Sequence, residues 1–182
     1  MTSTGIGCCV WLTGLPGSGK STTAEALAVL LQERGCPVTL LDGDALRQSV
    51  SRGLGFDQTD RHTHNCRVAM MAAALVRQGQ IVLCALVSPY RATRAACRAI
   101  IGSSRFLEVF VDTPLEVCVQ RDPKGLYQWA HRGEIPRFTG VSDPYEPPEH
   151  PEIVVDTVQT SAQANAQRIC EMLAARGVLV WP

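Results

Sequence analysis

A chain of 182 residues, 46% hydrophobic and 19% charged, has the size and balance of one globular domain, 1–182, around one core. Its 17 basic and 17 acidic side chains cancel, which leaves no cationic excess to hold a long nucleic acid. No apolar run approaches the roughly 20 residues that cross a bilayer, and Met1–Gly7 lacks the parts of a secretory signal, so the expected compartment is cytoplasmic.

The first apolar run, Cys8–Thr13, predicts a buried strand and leads directly into Gly14-Leu15-Pro16-Gly17-Ser18-Gly19-Lys20-Ser21, followed by Thr22. This matches the phosphate-binding pattern G-x-x-x-x-G-K-S/T in its required setting, after a strand and opening a helix. The glycines let backbone N–H groups close around a β-phosphate, and the helix adds its positive N-terminal end. Lys20 is expected at the β/γ oxygens and Ser21 on Mg²⁺. The loop therefore predicts ATP as phosphoryl donor without naming the acceptor.

Helical patterns and short apolar runs then alternate: helix Lys20–Arg34, strand Val38–Leu41, helices Ala45–Ser51 and Thr59–Gln78, strand Ile81–Leu86, helix Tyr90–Ile100, strand Phe106–Val111, helix Leu115–Gln120, strand Ile153–Val155, helix Ser161–Arg176 and strand Val178–Val180. Gly35, Gly79, Gly102 and Gly177 stand where four of the helices stop. The alternation predicts an α/β fold, a doubly wound and mostly parallel sheet. Asp122–Pro151 breaks the rhythm: it is rich in proline and glycine and has no long periodic segment. Arg121, Lys124, Arg132 and Arg137 lie in or beside it, which suits a lid over a phosphate-rich ligand, against a plain solvated excursion. The eight cysteines form no CxxC pair and mostly sit in apolar stretches, as small buried hydrophobes do.

Candidate acceptor groups fall at strand C-termini, where open α/β sheets bind ligands. Asp42 and Asp44 end the second strand; either is placed to take a hydroxyl proton or help order Mg²⁺, or simply to cap the next helix. Arg47 is one helical turn beyond Asp44. Phe56, followed by Asp60 and Arg61, suits stacking on a base with a cation beside it, although a lone Phe is more often a core residue. Ser88 and Arg91 follow the third strand. His62 and His64, two apart on a helix, point to different faces and have no obvious metal partners.

These pieces together resemble the adenylylsulfate kinase (APS kinase) family, over roughly Val10 to Thr157. The resemblance rests on Gly14–Thr22, Leu41–Asp44, Leu54–Phe56 with Asp60-Arg61, Ile81–Arg91, Glu108–Asp112, Phe138-Thr139-Gly140 and above all Arg121-Asp122-Pro123-Lys124-Gly125-Leu126-Tyr127. It implies a magnesium-dependent homodimer that phosphorylates the 3′-hydroxyl of adenosine 5′-phosphosulfate. It further implies that Asp44, Arg47 and Arg61 hold the sulfonucleotide, that Phe56 and Phe138 sandwich its adenine, and that Arg121 and Lys124 belong to a lid over ATP. Ser88 matches the family's phosphoserine position, a step that direct in-line transfer does not need. Four residues depart from the family pattern: Ala45 and His64 each replace an asparagine, Cys66 an arginine and Pro136 a lysine. All four are expected on the acceptor side. They motivate two alternatives, a same-fold kinase for another modified nucleotide and a nucleotide-binding homologue without catalysis.

Overall fold

In the computed structural model, residues 6–179 are described. Five strands form one parallel sheet in the order β2-β3-β1-β4-β5. They are β1 (Cys8–Thr13), β2 (Val38–Asp42), β3 (Ile81–Ala85), β4 (Phe106–Val111) and β5 (Ile153–Val155). The expected mostly parallel sheet is therefore present, and β1 lies at its centre with all six residues buried.

Successive side chains of a strand face opposite ways, and β1 shows the consequence. Val10 and Leu12 pack on one side with Leu27 and Leu31 of α1 (Lys20–Glu33) and Ile169 and Leu173 of α7 (Ala162–Ala175). Cys9 and Trp11 pack on the other side with Val68, Ala72 and Val76 of α3 (Gln58–Arg77) and Cys97 of α4 (Arg91–Ile101). With helices on both faces, the strand must be apolar throughout, which is why its sequence is a continuous run. All eight cysteines are free, and six are buried in these layers or beneath the phosphate loop.

Two expectations need correction. The helix expected at Ala45–Ser51 is α2 (Gly43–Gln48), which starts earlier because the Asp42 carboxylate caps it, accepting from the N–H groups of Asp44 (3.0 Å) and Ala45 (3.2 Å). Of the strand expected at Val178–Val180, the described residues Val178 and Leu179 are not part of the sheet. Val178 and Leu179 are buried in a bend, and residue 180 lies outside the described residues. Here the Gly177 N–H donates to Ala174 O (2.9 Å) and the Val178 N–H to Leu173 O (3.0 Å). That pair closes the end of α7, so the apolar run plugs a helix terminus instead of extending a sheet.

The segment 122–151 is tied down at both ends. Asp122, just after α5 (Leu115–Arg121), accepts from the N–H groups of Tyr127 and Gln128, each at 3.1 Å, and so starts the short helix α6 (Leu126–His131). At the other end, Arg94 donates to the Glu146 carbonyl (2.7 Å) and the Glu146 N–H to Pro89 O (2.8 Å). The Tyr145 hydroxyl meets Thr13 Oγ1 at 3.0 Å.

Candidate functional site

The sheet order reverses direction at β1: the chain crosses to β2 on one side and later to β4 on the other. The C-terminal end of β1 is thus the topological switch point, where ligands of open α/β sheets bind, and residues 14–21 stand there. Gly14 admits no side chain, since a Cβ would lie 2.6 Å from Val111 O. Residues 15–18 form a tight turn closed by Ser18 N–H to Leu15 O (3.1 Å), with Gly17 at φ 75° as a type II turn requires. Lys20, 8% exposed, donates to Leu15 O (2.6 Å) and Gly14 O (3.0 Å), so its ammonium lies along the inner rim of the loop. Burial lowers its pKa to about 8, against the opposing pull of Asp44 and Asp42. The Ser21 hydroxyl donates to Asp42 Oδ2 at 2.9 Å. Asp42 therefore does one of the jobs foreseen for it, capping α2 through Oδ1, while its Oδ2 faces Ser21.

A single cleft of about 1100 Å³ joins this loop to the expected acceptor groups. Asp44, Arg47, Phe56, Arg61, His64, Ser88 and Phe138 all line it, as do Arg121 and Lys124. Lys124 reaches across to Asp44 with Nζ 2.5 Å from Oδ2. Phe56 is 48% exposed, and the guanidinium carbons of Arg47 and Arg61 stand 4.5 and 5.5 Å from its ring centre. Arg61 is buried and anchored to Phe56 O (2.8 Å) and Arg137 O (2.9 Å), which ties the Phe56 loop to the 122–151 segment. Phe138 is buried with its ring edge-on to Tyr127. Ser88 is also buried; its Oγ accepts from Trp11 Nε1 at 3.1 Å, which fixes the hydroxyl as part of the cleft wall.

The four family departures separate in the structure. Only His64 lines the cleft. It is 3% exposed, its Nδ1 lies 2.7 Å from Ser51 Oγ, and burial together with the nearby Arg47 lowers its pKa to about 4, so the ring is neutral at pH 7. Cys66 lies away from the cleft, its Sγ 3.5 Å from His62 Nε2, while His62 Nδ1 meets Thr93 on α4 at 3.1 Å. The two histidines do face different ways. Ala45 and Pro136 are exposed outside the cleft. The expectation that all four lie on the acceptor side is thus corrected to His64 alone. Cys66, two residues on, faces the other way on α3, and Ala45 and Pro136 stand on other segments with their side chains toward solvent.

Sequence reasoning missed Thr157. Its hydroxyl donates to Ser18 O (2.8 Å), lies 2.7 Å from Thr113 Oγ1, and accepts from Arg121 Nη1 (2.8 Å). It anchors the phosphate loop to Arg121, yet a lone threonine after β5 carries no signal in the sequence. Asn65, buried beside His64 on the cleft wall, likewise carries no signal of its own in the sequence.

A glycine-lined anion loop with a buried lysine, a serine–aspartate oxygen pair, and a carboxylate-and-guanidinium pocket in one cleft define a P-loop phosphotransferase. Comparison with known proteins narrows this. The family model for adenylylsulphate kinase matches residues 6–156. An adenylyl-sulfate kinase of Chloroflexus aurantiacus is 54% identical over 155 residues, covering 85% of this chain and 82% of its own. Another, from Synechococcus sp. strain JA-3-3Ab, is 49% identical over 173 residues, covering 95% and 97%. The solved structure of the Mycobacterium tuberculosis APS kinase in complex with AMPPNP and APS matches with a TM-score of 0.90 at 40% identity, covering 93% of this chain and 99% of that one. The chain belongs to the adenylylsulphate kinase family.

Proposed function

We propose that this cleft transfers the γ-phosphoryl group of ATP to the 3′-hydroxyl of adenosine 5′-phosphosulfate, giving ADP and 3′-phosphoadenylylsulfate. The observation that carries the reading is the shared cavity: the phosphate loop and the Asp44, Arg47, Phe56, Arg61 and Phe138 group open into the same space. In-line phosphoryl transfer is mostly alignment and charge neutralisation. Lys20 supplies a poorly solvated cation at the transferring phosphate, where charge stabilisation is strongest. Arg47 and Arg61 hold the sulfonucleotide's anionic group, while Phe56 and Phe138 take its adenine. Asp44 accepts the 3′-hydroxyl proton, and Lys124 moves between that carboxylate and the phosphates as the 122–151 lid closes. Ser88, buried with its Oγ accepting from Trp11, shapes the wall, and direct in-line transfer needs no phosphoryl group on it.

Ser21 Oγ and Asp42 Oδ2 offer two hard oxygen donors, as fits Mg²⁺, which keeps waters and phosphate oxygens for its other positions. Held there, the ion would supply positive charge that offsets the negative charge developing on the transferring phosphoryl group. The family resemblance supports a homodimer, which light scattering of the pure protein tests. No described helix is long and apolar enough to cross a membrane, in keeping with a cytoplasmic setting.

The experiment is a coupled ADP-release assay with Mg·ATP. ADP should appear quickly only with adenylylsulfate present, and turnover no faster than in the acceptor-free control would refute the reading. His64 is the departure with a route to altered acceptor choice, so a nucleotide panel on wild type and His64→Asn tests the alternative of another acceptor.

A further inference from the structure

Tyr127 touches both halves of the cleft and has been given no task above. It is 1% exposed, its ring centre lies 5.0 Å from that of Phe138, and its hydroxyl donates to Pro16 O at 2.9 Å. Burial, with Cys118 and Asp122 nearby, raises the phenol well above its ordinary range, so the donated proton stays in place.

The acceptor of that bond matters. Pro16 and Gly17 are the two central residues of the turn closed by Ser18 N–H to Leu15 O. Type I and type II turns differ by a flip of this central peptide, and the Gly17 φ of 75° selects type II. The peptide is trans, so the Pro16 C=O and the Gly17 N–H point in opposite directions. A hydroxyl that holds the carbonyl on one side therefore presents the amide on the other. Leu15 from the same turn packs in one small apolar cluster with Cys118, Tyr127, Ala130 and Phe138. Rotation of Phe138 is thus felt by Tyr127, and through it by the phosphate loop.

We propose that Tyr127 is a positioning residue that couples the two subsites. It holds the Pro16–Gly17 peptide so that the Gly17 N–H faces the ATP phosphates, and holds it more firmly when a base is stacked on Phe138. Acceptor and ATP then strengthen each other's binding through one side chain. The inference rests on the acceptor-base position of Phe138 in the proposed function.

The test is Tyr127→Phe in the full chain, which removes the hydroxyl and keeps the ring. Calorimetry gives the Kd of a non-hydrolysable Mg·ATP analogue with and without saturating adenylylsulfate, and the ratio is the coupling factor. Wild type should bind the analogue several-fold more tightly with the acceptor present. In Tyr127→Phe that factor should fall to near one, a loss on the scale of one net hydrogen bond, while adenylylsulfate alone binds as before. A packing role alone would lower the melting temperature and weaken each ligand without moving the ratio. Phe138→Leu, which loosens the ring contact and leaves the phenol bond, should lower the ratio as well, and decides the matter if Tyr127→Phe does not fold. A wild-type ratio of one, or equal ratios in wild type and the folded variant, would overturn the coupling. Absence of wild-type turnover with adenylylsulfate would instead overturn the proposed reaction, so the two failures are distinct.

Discussion

The donor and acceptor halves of the cleft are built by different means. The donor half is backbone: a loop pressed against Val111, anchored by Thr113 and Thr157 to Ser18 O, with Lys20 and Ser18 buried within it. The acceptor half is made of side chains from separate segments, held by polar ties across the gap. Phe56 is half exposed, and the Lys124–Asp44 pair has side chains 59% and 68% exposed, a placement in which ion pairs contribute little to stability. A rigid amide cage suits a triphosphate that never varies. A looser wall of aromatic and charged groups suits a part that must open to admit and release nucleotides.

That contrast can be broken most directly at Lys20. Lys20→Ala removes the donor half's buried ammonium and should lower kcat at least about a thousandfold, with adenylylsulfate binding intact by calorimetry. Asp44→Asn should reduce kcat about a hundredfold at unchanged ATP affinity, the usual scale of a lost general base. An equal loss of ATP binding would show instead that Asp44 works for the donor half. Phe56→Ala should raise KM for adenylylsulfate about tenfold with little change in KM for ATP, in line with one lost stacking face.

Acidity sharpens the comparison further. Because the Lys20 pKa is lowered to about 8, kcat/KM for ATP should fall as pH rises above about 8 and the ammonium is lost. The limb of kcat should bend at higher pH, since bound phosphates retain the proton. His64 gives a smaller, opposite effect on folding. Its folded pKa of about 4 lies below the ordinary value of 6.5, so the unfolded chain takes the proton first. Stability should fall by up to roughly 3 kcal/mol as pH drops from 6.5 to 4, and His64→Asn should flatten that slope in denaturant titrations.

How much of this was legible in the sequence follows the same division. The donor loop is contiguous, so Gly14–Ser21 could be read with its setting, and β1, β4 and β5 have the expected bounds. Asp44, Arg47, Phe56, Arg61 and Phe138 were found because they sit at strand ends or in family segments, and all of them line the cleft. What was not legible depends on partners far apart in the chain. Thr157 meets Ser18 across 139 positions and Tyr127 meets Pro16 across 111, and no local pattern marks either contact. Cys66 was misplaced because a motif aligned by position does not say which face of α3 a residue occupies. Val178 and Leu179 were misread because a short apolar run looks the same whether it joins a sheet or seals a helix end.

Trp11 lies in the dry centre of the sheet, stacked on Phe106 at 5.6 Å, with its indole N–H on the Ser88 hydroxyl. It therefore acts as a built-in optical probe of the acceptor wall. Its emission should be blue-shifted, unlike that of half-exposed Trp129. Any ligand that draws the Ser88 hydroxyl away would change that emission without a label or a coupled enzyme.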